Sequence, residues 1–432
     1  MNIPKIIACI LFVFNILIIN NLSAQNATLF SRTNQSDTTQ NINTSSSEIT
    51  DLPVDSDQLR SYEERIEKWA RQKSKYEIEC KKTSNEPNIV SDSVYKQRLA
   101  SLPCIIEMPY NQIVRNCIGL YTEKKRQATE RMLGDSKYYF PIIEEILEQK
   151  GLPLELKYLP VIESAFNPVA VSWAGAAGLW QFIPSTARLY NLEINSLVDE
   201  RLDPIKSTYA AADFLSDLYK IFGDWHLVIA AYNCGPVNVN KAKARSGGKT
   251  DYWAIYPYLP KETRGYVPIF IAANYVFAFA SEHNLCAMVP ELPAITDTLH
   301  IKERIHFQQI SSVINIPYDQ LKTLNPQYRQ DIIPGSPLKS YPLRLPLKYV
   351  TAFLVQHDSI VAYHADELIN RRDEVEAQTD NYRGTVRYHT VRSGQTLSII
   401  AAKYGVSVND LKRWNNLNGT KVSVGKKLKI RK

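Results

Sequence analysis

In the last third of the chain, residues 90 positions apart match one another. Phe307 corresponds to Leu397, Ile310 to Ile400, Ile316 to Val406, Leu321 to Leu411, Leu324 to Trp414, Asn325 to Asn415 and Gly335 to Gly425. A register kept by apolar positions, an Asn and a Gly means that this region is built twice, not folded as one core. Each copy patterns as strand, helix, helix, strand, with 388–391 and 427–430 as the outer strands of the second. The boundaries are 296–346 and 386–432, and the polar, charged stretch 347–385 is expected to be a partly ordered linker. A chain of 432 residues exceeds a single compact core. Its upstream part, from about 61 to 287, has helical texture almost throughout. The expected fold class is therefore mainly α, an all-α domain followed by two small βααβ modules.

Residues 1–24 are expected to be a secretory signal peptide. Lys5 gives a thin positive region, 6–19 is almost wholly apolar, and Leu22-Ser23-Ala24 precedes a cut at Gln25. The run is too short and wrongly flanked for a membrane span. Ile6-Ile7-Ala8-Cys9 lies before the apolar run and not after it, so it is not read as a lipid-attachment box, and an uncleaved anchor is the remaining alternative. Residues 25–57, rich in Asn, Ser, Thr and Asp, cannot bury enough surface to offset their ordering entropy and are expected to form a disordered tether. An N-terminal helical region is assigned to 58–137 and the main domain to 138–290. Within them, helices are expected over 113–132, 139–149, 185–192, 204–222, 225–233 and 267–280. Asp224 is placed to cap one of these, and Gly235-Pro236 to stop it. Pro160, inside 154–163, is expected to kink that segment just before Glu163.

The formal charge of +7 is mild and scattered, and no basic, aromatic-interleaved motif argues for nucleic acid. Beyond Cys9, the cysteines are Cys80, Cys104, Cys117, Cys234 and Cys286. Their number is odd, so at least one is unpaired within the chain. None forms C-x-x-C, and the seven histidines show no ligand spacing. No metal and no cofactor are expected. Nothing in the sequence sets an oligomeric state.

Chemistry concentrates in Glu163-Ser164-Ala165-Phe166-Asn167-Pro168 and Gly178-Leu179-Trp180-Gln181-Phe182. Glu163 ends an apolar segment (Leu156, Leu159, Val161, Ile162), and no other Asp or Glu follows until Glu193. An apolar setting disfavours the charged form and keeps a proton available near neutral pH. Cleavage of a glycosidic bond commonly uses two carboxylates. With one nearby acid, either a distant residue such as Glu262 approaches, or the sugar's own C6 hydroxyl acts as nucleophile. Gly175 and Gly178 would let the backbone approach a saccharide or a neighbouring segment. Gln181 suits an acetamido or hydroxyl group. Trp180 and Phe182 are either stacking faces or core. Tyr232 and Asn233 end an apolar helix, where polar groups either project into a cleft or cap the helix.

Together with Pro184, Thr186, Ala230-Ala231-Tyr232-Asn233, Gly235 and Tyr266-Val267, these blocks resemble the lytic transglycosylases of the goose-type lysozyme-like superfamily. The resemblance covers roughly 138–275. It implies a lysozyme-like catalytic domain acting on peptidoglycan glycan strands. Glu163 would be the sole acid/base, and the product would carry a 1,6-anhydromuramoyl end. It further implies that Gln181, Tyr232 and Asn233 line the cleft and that Ser164 helps position the acid, with Gly178, Trp180, Phe182 and Tyr266 assigned to the same substrate site. The last copy of the repeat resembles a LysM module through Val391-Arg392-Ser393-Gly394-Gln395-Thr396-Leu397, Tyr404-Gly405-Val406, Leu411, Trp414 and Asn415. That resemblance implies binding of N-acetylglucosamine-containing glycans, with Gly394, Thr396, Leu397 and Asn415 as site residues. The upstream copy lacks the Ser-Gly-Gln-Thr-Leu turn and is expected to be a degenerate LysM-like module. The implied location is periplasmic or envelope-associated. A hydrolytic muramidase and a non-catalytic wall-binding scaffold are the alternative readings.

Overall fold

The segment Tyr266–Ala278 is apolar on every side, and a helix of that kind is stable only when enclosed. In the computed structural model it is the enclosed centre of the helical body. The structure describes residues 86–293, 295–369, 386–391, 395–404, 406, 408–415, 417, 419, 422–423 and 425–431. The expected signal peptide, tether, most of the first helical stretch, residues 370–385 and Gly394 lie outside them.

The body is built from α1 (Asp92–Ala100), α2 (Gln112–Gly119), α3 (Arg126–Gln149), α4 (Leu159–Ser164), α5 (Pro184–Leu189), α6 (Pro204–Phe222), α7 (Trp225–Cys234), α8 (Pro236–Arg245) and the central α9 (Tyr266–Ala278). Local chemistry sets many of these ends. Asp203 caps α6 by accepting from the Ile205 and Lys206 amides, and Asp224 caps α7 by accepting from Leu227. Gly235 ends α7, and Pro236 at once opens α8, where its missing N–H is harmless.

Two expectations fail locally. The break expected between 132 and 139 is absent; the stretch 113–149 breaks instead at a π-turn, Leu120–Lys124, and α3 then runs unbroken through Gly134 and Pro141. Gly134 is there for packing. A Cβ at that position would sit 2.1 Å from the Met288 carbonyl oxygen, and the Met288 amide donates to the Glu130 carbonyl at 3.0 Å. Likewise 154–163 is not one kinked helix. A 3-10 turn, Leu154–Tyr158, ends where α4 begins, and Pro160 occupies the first turn of α4.

The first module pairs β1 (Thr296–Ile301) with β4 (Tyr341–Pro346) and β2 (Arg304–His306) with β3 (Ile332–Pro334), both antiparallel. Between them lie α10 (Phe307–Ile314) and α11 (Tyr318–Leu324). The second module pairs β5 (Val386–Thr390) with β6 (Lys427–Arg431) around two further helices, Leu397–Tyr404 and Val408–Trp414. The Asn shared by the repeat has one job in both copies. The Asn325 amide donates to the Leu321 and Arg344 carbonyls, and its oxygen accepts from the Arg344 amide. Asn415 does the same with Leu411 and Lys429. Each Asn staples the second helix to the last strand.

The linker expectation for 347–385 is corrected in its first part. Residues Leu347–Val355 and His357–Ala362 are helical. Phe353 and Ile360 from them are buried in the first module's core with Phe307, Ile310 and Leu343. The Gln309 amide ties this extension down by donating to the Ile360 and Val361 carbonyls. Leu347, Leu354 and Val355 of that stretch are exposed, so its apolar residues do not mark a single buried face.

Cys104, Cys117 and Cys234 are free, and Cys286 is disulfide-bonded. Burial pushes the Cys117 thiol up to about 12. Burial, with the nearby Glu155 charge, raises Cys104 to about 11. Neither forms a reactive thiolate at neutral pH.

Candidate active site

Glu163 sits in the last turn of α4 and is half-buried. The helix stops there because Ala165 and Phe166 both take positive φ, 51° and 61°. That turn sends the chain away and leaves the half-buried Glu163 side chain at the end of the helix. The Tyr266 hydroxyl, from the fully buried first residue of α9, donates to Glu163 Oε1. Glu262, the distant acid weighed above, is exposed on the short helix Lys261–Arg264.

The loop 170–182 wraps back beside this carboxylate. It doubles on itself through bridges between Val171 and Ala177 and between Ala177 and Phe182. The Ser164 hydroxyl, buried, faces the Leu179 carbonyl at 3.0 Å and the Pro160 carbonyl at 3.2 Å, joining α4 to the loop. Gln181 is left-handed (φ 48°), and its amide nitrogen donates to the Gly178 and Ala170 carbonyls. Its Oε1 is left without a protein donor among the described residues. The Tyr232 hydroxyl donates to the Trp180 carbonyl at 2.8 Å. Burial, with the Glu163 charge adding, holds the Tyr232 phenol well above its ordinary pKa, so it stays protonated. Asn233 does not cap α7, which continues to Cys234; its Oδ1 accepts from the Thr263 hydroxyl at 2.9 Å.

Trp180 and Phe182 belong to the core and not to a stacking surface. Trp180 is 0% exposed, and its indole N–H donates to the Thr208 hydroxyl. Phe182 is buried against Phe214 and Tyr232. The exposed aromatic of this loop is Trp173, 99% accessible at the turn 172–175 and missed by the sequence reading. Gly178 is required by its neighbour: at φ 86°, a Cβ there would fall 1.8 Å from the Arg201 carbonyl oxygen.

Beneath the loop lies a buried ion pair that no sequence signal marked. Arg201 Nε and Nη2 donate to the two oxygens of Asp199, each at 2.8 Å. Arg201 Nη1 donates to the Gly175 and Phe182 carbonyls at 2.7 and 3.0 Å. Burial opposes the Asp199 charge, but hydrogen bonds from Arg201 and Arg329 outweigh it and hold the carboxyl below its ordinary range. A cavity of about 520 Å³ opens nearby between the body and the first module, lined by Phe166, Pro168, Val169, Tyr328 and Arg329 among others. Glu163 does not line it, so this space is separate from the carboxylate. Among the described residues no group of three or more His, Cys, Asp or Glu side chains could hold a metal ion.

In the second module the expected ligand residues among the described ones, Thr396, Leu397 and Asn415, have structural duties. Leu397 is buried in the core. Thr396 Oγ1 accepts from the Ile399 amide at 3.3 Å, at the start of a helix. Asn415 is the staple described above.

Comparison with known proteins agrees with this layout. Residues 140–255 match the transglycosylase SLT domain, 295–362 the LysM-like domain of lytic transglycosylase MltD, and 389–431 the LysM domain. Membrane-bound lytic murein transglycosylase D of Escherichia coli strain K12 is 34% identical over 335 residues, spanning 75% of this chain and 70% of the relative. The chain belongs to the membrane-bound lytic murein transglycosylase D family. As a member it is an enzyme, a lytic transglycosylase with a lysozyme-like α-helical domain and LysM domains. Soluble lytic murein transglycosylase of the same strain is 33% identical over 123 residues, 27% of this chain and 19% of that one. The crystal structure of the 70 kDa soluble lytic transglycosylase from E. coli covers 52% of this chain and 43% of its own, with 20% identity and a TM-score of 0.32. Among the described residues, no helix of this family member is long and apolar enough to cross a membrane.

Proposed function

We propose that the enzyme cleaves the β-1,4 bond between N-acetylmuramic acid and N-acetylglucosamine without water, using Glu163 as its one acid/base. The protonated carboxyl of Glu163 gives its proton to the glycosidic oxygen as the C1–O bond breaks. The resulting carboxylate then takes the proton from the C6 hydroxyl of the muramoyl residue as O6 bonds to C1. Atoms balance with no water consumed, and the product closes into a 1,6-anhydro ring. An intramolecular attack has a high effective molarity, so no second carboxylate is needed to activate a nucleophile. The neighbouring acetamido group stabilises positive charge at C1.

The observation that carries this reading is the setting of Glu163. It stands alone among carboxylates along 163–192, with the Tyr266 hydroxyl on Oε1. Gln181 Oε1 accepts from a sugar amide or hydroxyl, Tyr232 and Asn233 line the cleft wall, and Ser164 holds the acid against the loop. Trp173 takes the stacking role that the sequence reading gave to Trp180 and Phe182. The second module, 386–432, holds the enzyme on peptidoglycan, and the protein acts in the cell envelope after export.

Glu163→Gln tests the assignment. It removes the proton donor and keeps the shape. Cleavage of murein glycan is expected to fall by at least about a thousandfold while glycan binding is retained. Undiminished cleavage would refute the role.

A further inference from the structure

We propose that the first LysM-like module positions the active-site loop through a chain of charged groups, Arg329–Asp199–Arg201, that ends on the loop backbone. This rests on Glu163 acting beside that loop.

The module is fastened to the catalytic body by a short antiparallel contact. Val198 bridges Tyr328, the Asp199 amide donates to the Gln327 carbonyl at 2.9 Å, and the Arg329 amide donates to the Leu197 carbonyl at 2.8 Å. Leu197 and Val198 are buried in the module's own core, beside Ile301, Phe307 and Tyr328. The segment between α11 and β3 of the module is therefore joined to the body through backbone hydrogen bonds.

From that fastening a directional path leads to the loop. Arg329 Nη2 donates to Asp199 Oδ2. The same carboxylate receives Arg201, and both of those side chains are almost fully buried, whereas the Arg329 side chain is 40% exposed. Arg201 then donates to Gly175 and Phe182, the carbonyls on either side of Gly178 and Gln181. A cation on the module thus orients a carboxylate, and that carboxylate orients the guanidinium that holds the loop closed. Inside a protein such a chain is stronger and more directional than at the surface. Loss of Arg329 leaves the Asp199–Arg201 pair in place but removes the second donor from Asp199 Oδ2, which then holds only Arg201 Nη2. The expected result is a displaced loop in a folded protein.

A second tether at the same interface supplies the control. Lys339 Nζ donates to Glu193 at 2.7 Å, and the Tyr341 hydroxyl donates to it at 3.1 Å, with no link to the loop. Arg329→Ala, Arg329→Lys and Lys339→Ala in the full chain separate positioning from simple attachment. On soluble murein glycan fragments, Arg329→Ala is expected to lower kcat about tenfold with KM changed less than about twofold. Amides of 175–182 should exchange hydrogen faster than in the wild type. Arg329→Lys, which keeps one charged donor, should recover most of kcat, and Lys339→Ala should match the wild type in both measurements. The proposal is overturned if Arg329→Ala leaves kcat and loop exchange unchanged, or if Lys339→Ala lowers kcat as much. If the wild type itself cleaves nothing, the proposed reaction fails instead, and the exchange comparison alone still decides the positioning claim.

Discussion

The hydroxyl of Tyr266 donates to the carboxylate of Glu163 across 103 residues of sequence. One residue is the first of the buried central helix and the other is in the last turn of a short one, so the fold as a whole brings the pair together. Tyr266→Phe removes that donor and keeps the ring. We expect kcat to fall about ten- to a hundredfold with little change in KM, and thermal unfolding to shift by no more than about 1–2 kcal/mol. Steady-state kinetics on soluble glycan fragments checks it; an unchanged kcat would remove Tyr266 from the site.

Trp180 and Trp173 should behave oppositely. Trp180 is sealed in the core, so Trp180→Ala should cost about 3–5 kcal/mol in denaturant unfolding. Trp173 is almost wholly exposed, so Trp173→Ala should leave stability within about 0.5 kcal/mol. It should raise KM for glycan several-fold through loss of a stacking face. A stability loss at Trp173 with normal KM would contradict the assignment.

Much of the site was legible because its signals are local. Glu163 at the end of an apolar segment, Gln181 three residues after Gly178 and the Tyr232-Asn233 helix end all fall within short stretches. What the sequence hid depends on distant partners. Gly134 falls in the gap between the helices expected over 113–132 and 139–149, but it lies mid-helix where Met288 packs against it. Trp180 resembles a platform but points into the core. Asp199 and Arg201 look like ordinary surface charges, and only the fold reveals that they clamp carbonyls at positions 175 and 182. Pattern sufficed for the βααβ modules, yet it stopped short of the helices after residue 346, whose buried face amounts to little more than Phe353 and Ile360.

Acid should expose the Asp199 pair. Its pKa is lower in the folded chain than in the unfolded one, so ionised Asp199 stabilises the fold at pH values above about 4. That contribution disappears as pH falls through the folded value. Asp199→Asn should therefore lower unfolding free energy by about 3 kcal/mol at pH 7, and the gap to wild type should narrow below about pH 4. Denaturant unfolding from pH 7 to pH 3 measures this. A gap constant over the whole range would mean that the carboxylate is not the stabilising species.

The two modules should tolerate removal differently. Deleting 386–432 should weaken co-sedimentation with murein sacculi while leaving turnover of soluble fragments within about twofold. Deleting 296–362 would uncover Leu197 and Val198 and should abolish soluble, active protein. If removing 386–432 leaves sacculus binding intact, that module is not the anchor.

The central claim concerns where the second proton comes from: a hydroxyl of the cleaved sugar, passed to Glu163, and not water. Mass spectrometry of sacculi digested by the wild-type enzyme tests it most directly. The account predicts muramoyl ends lighter by one water than reducing ends, with no label incorporated from H₂¹⁸O. Reducing ends carrying the label would contradict it.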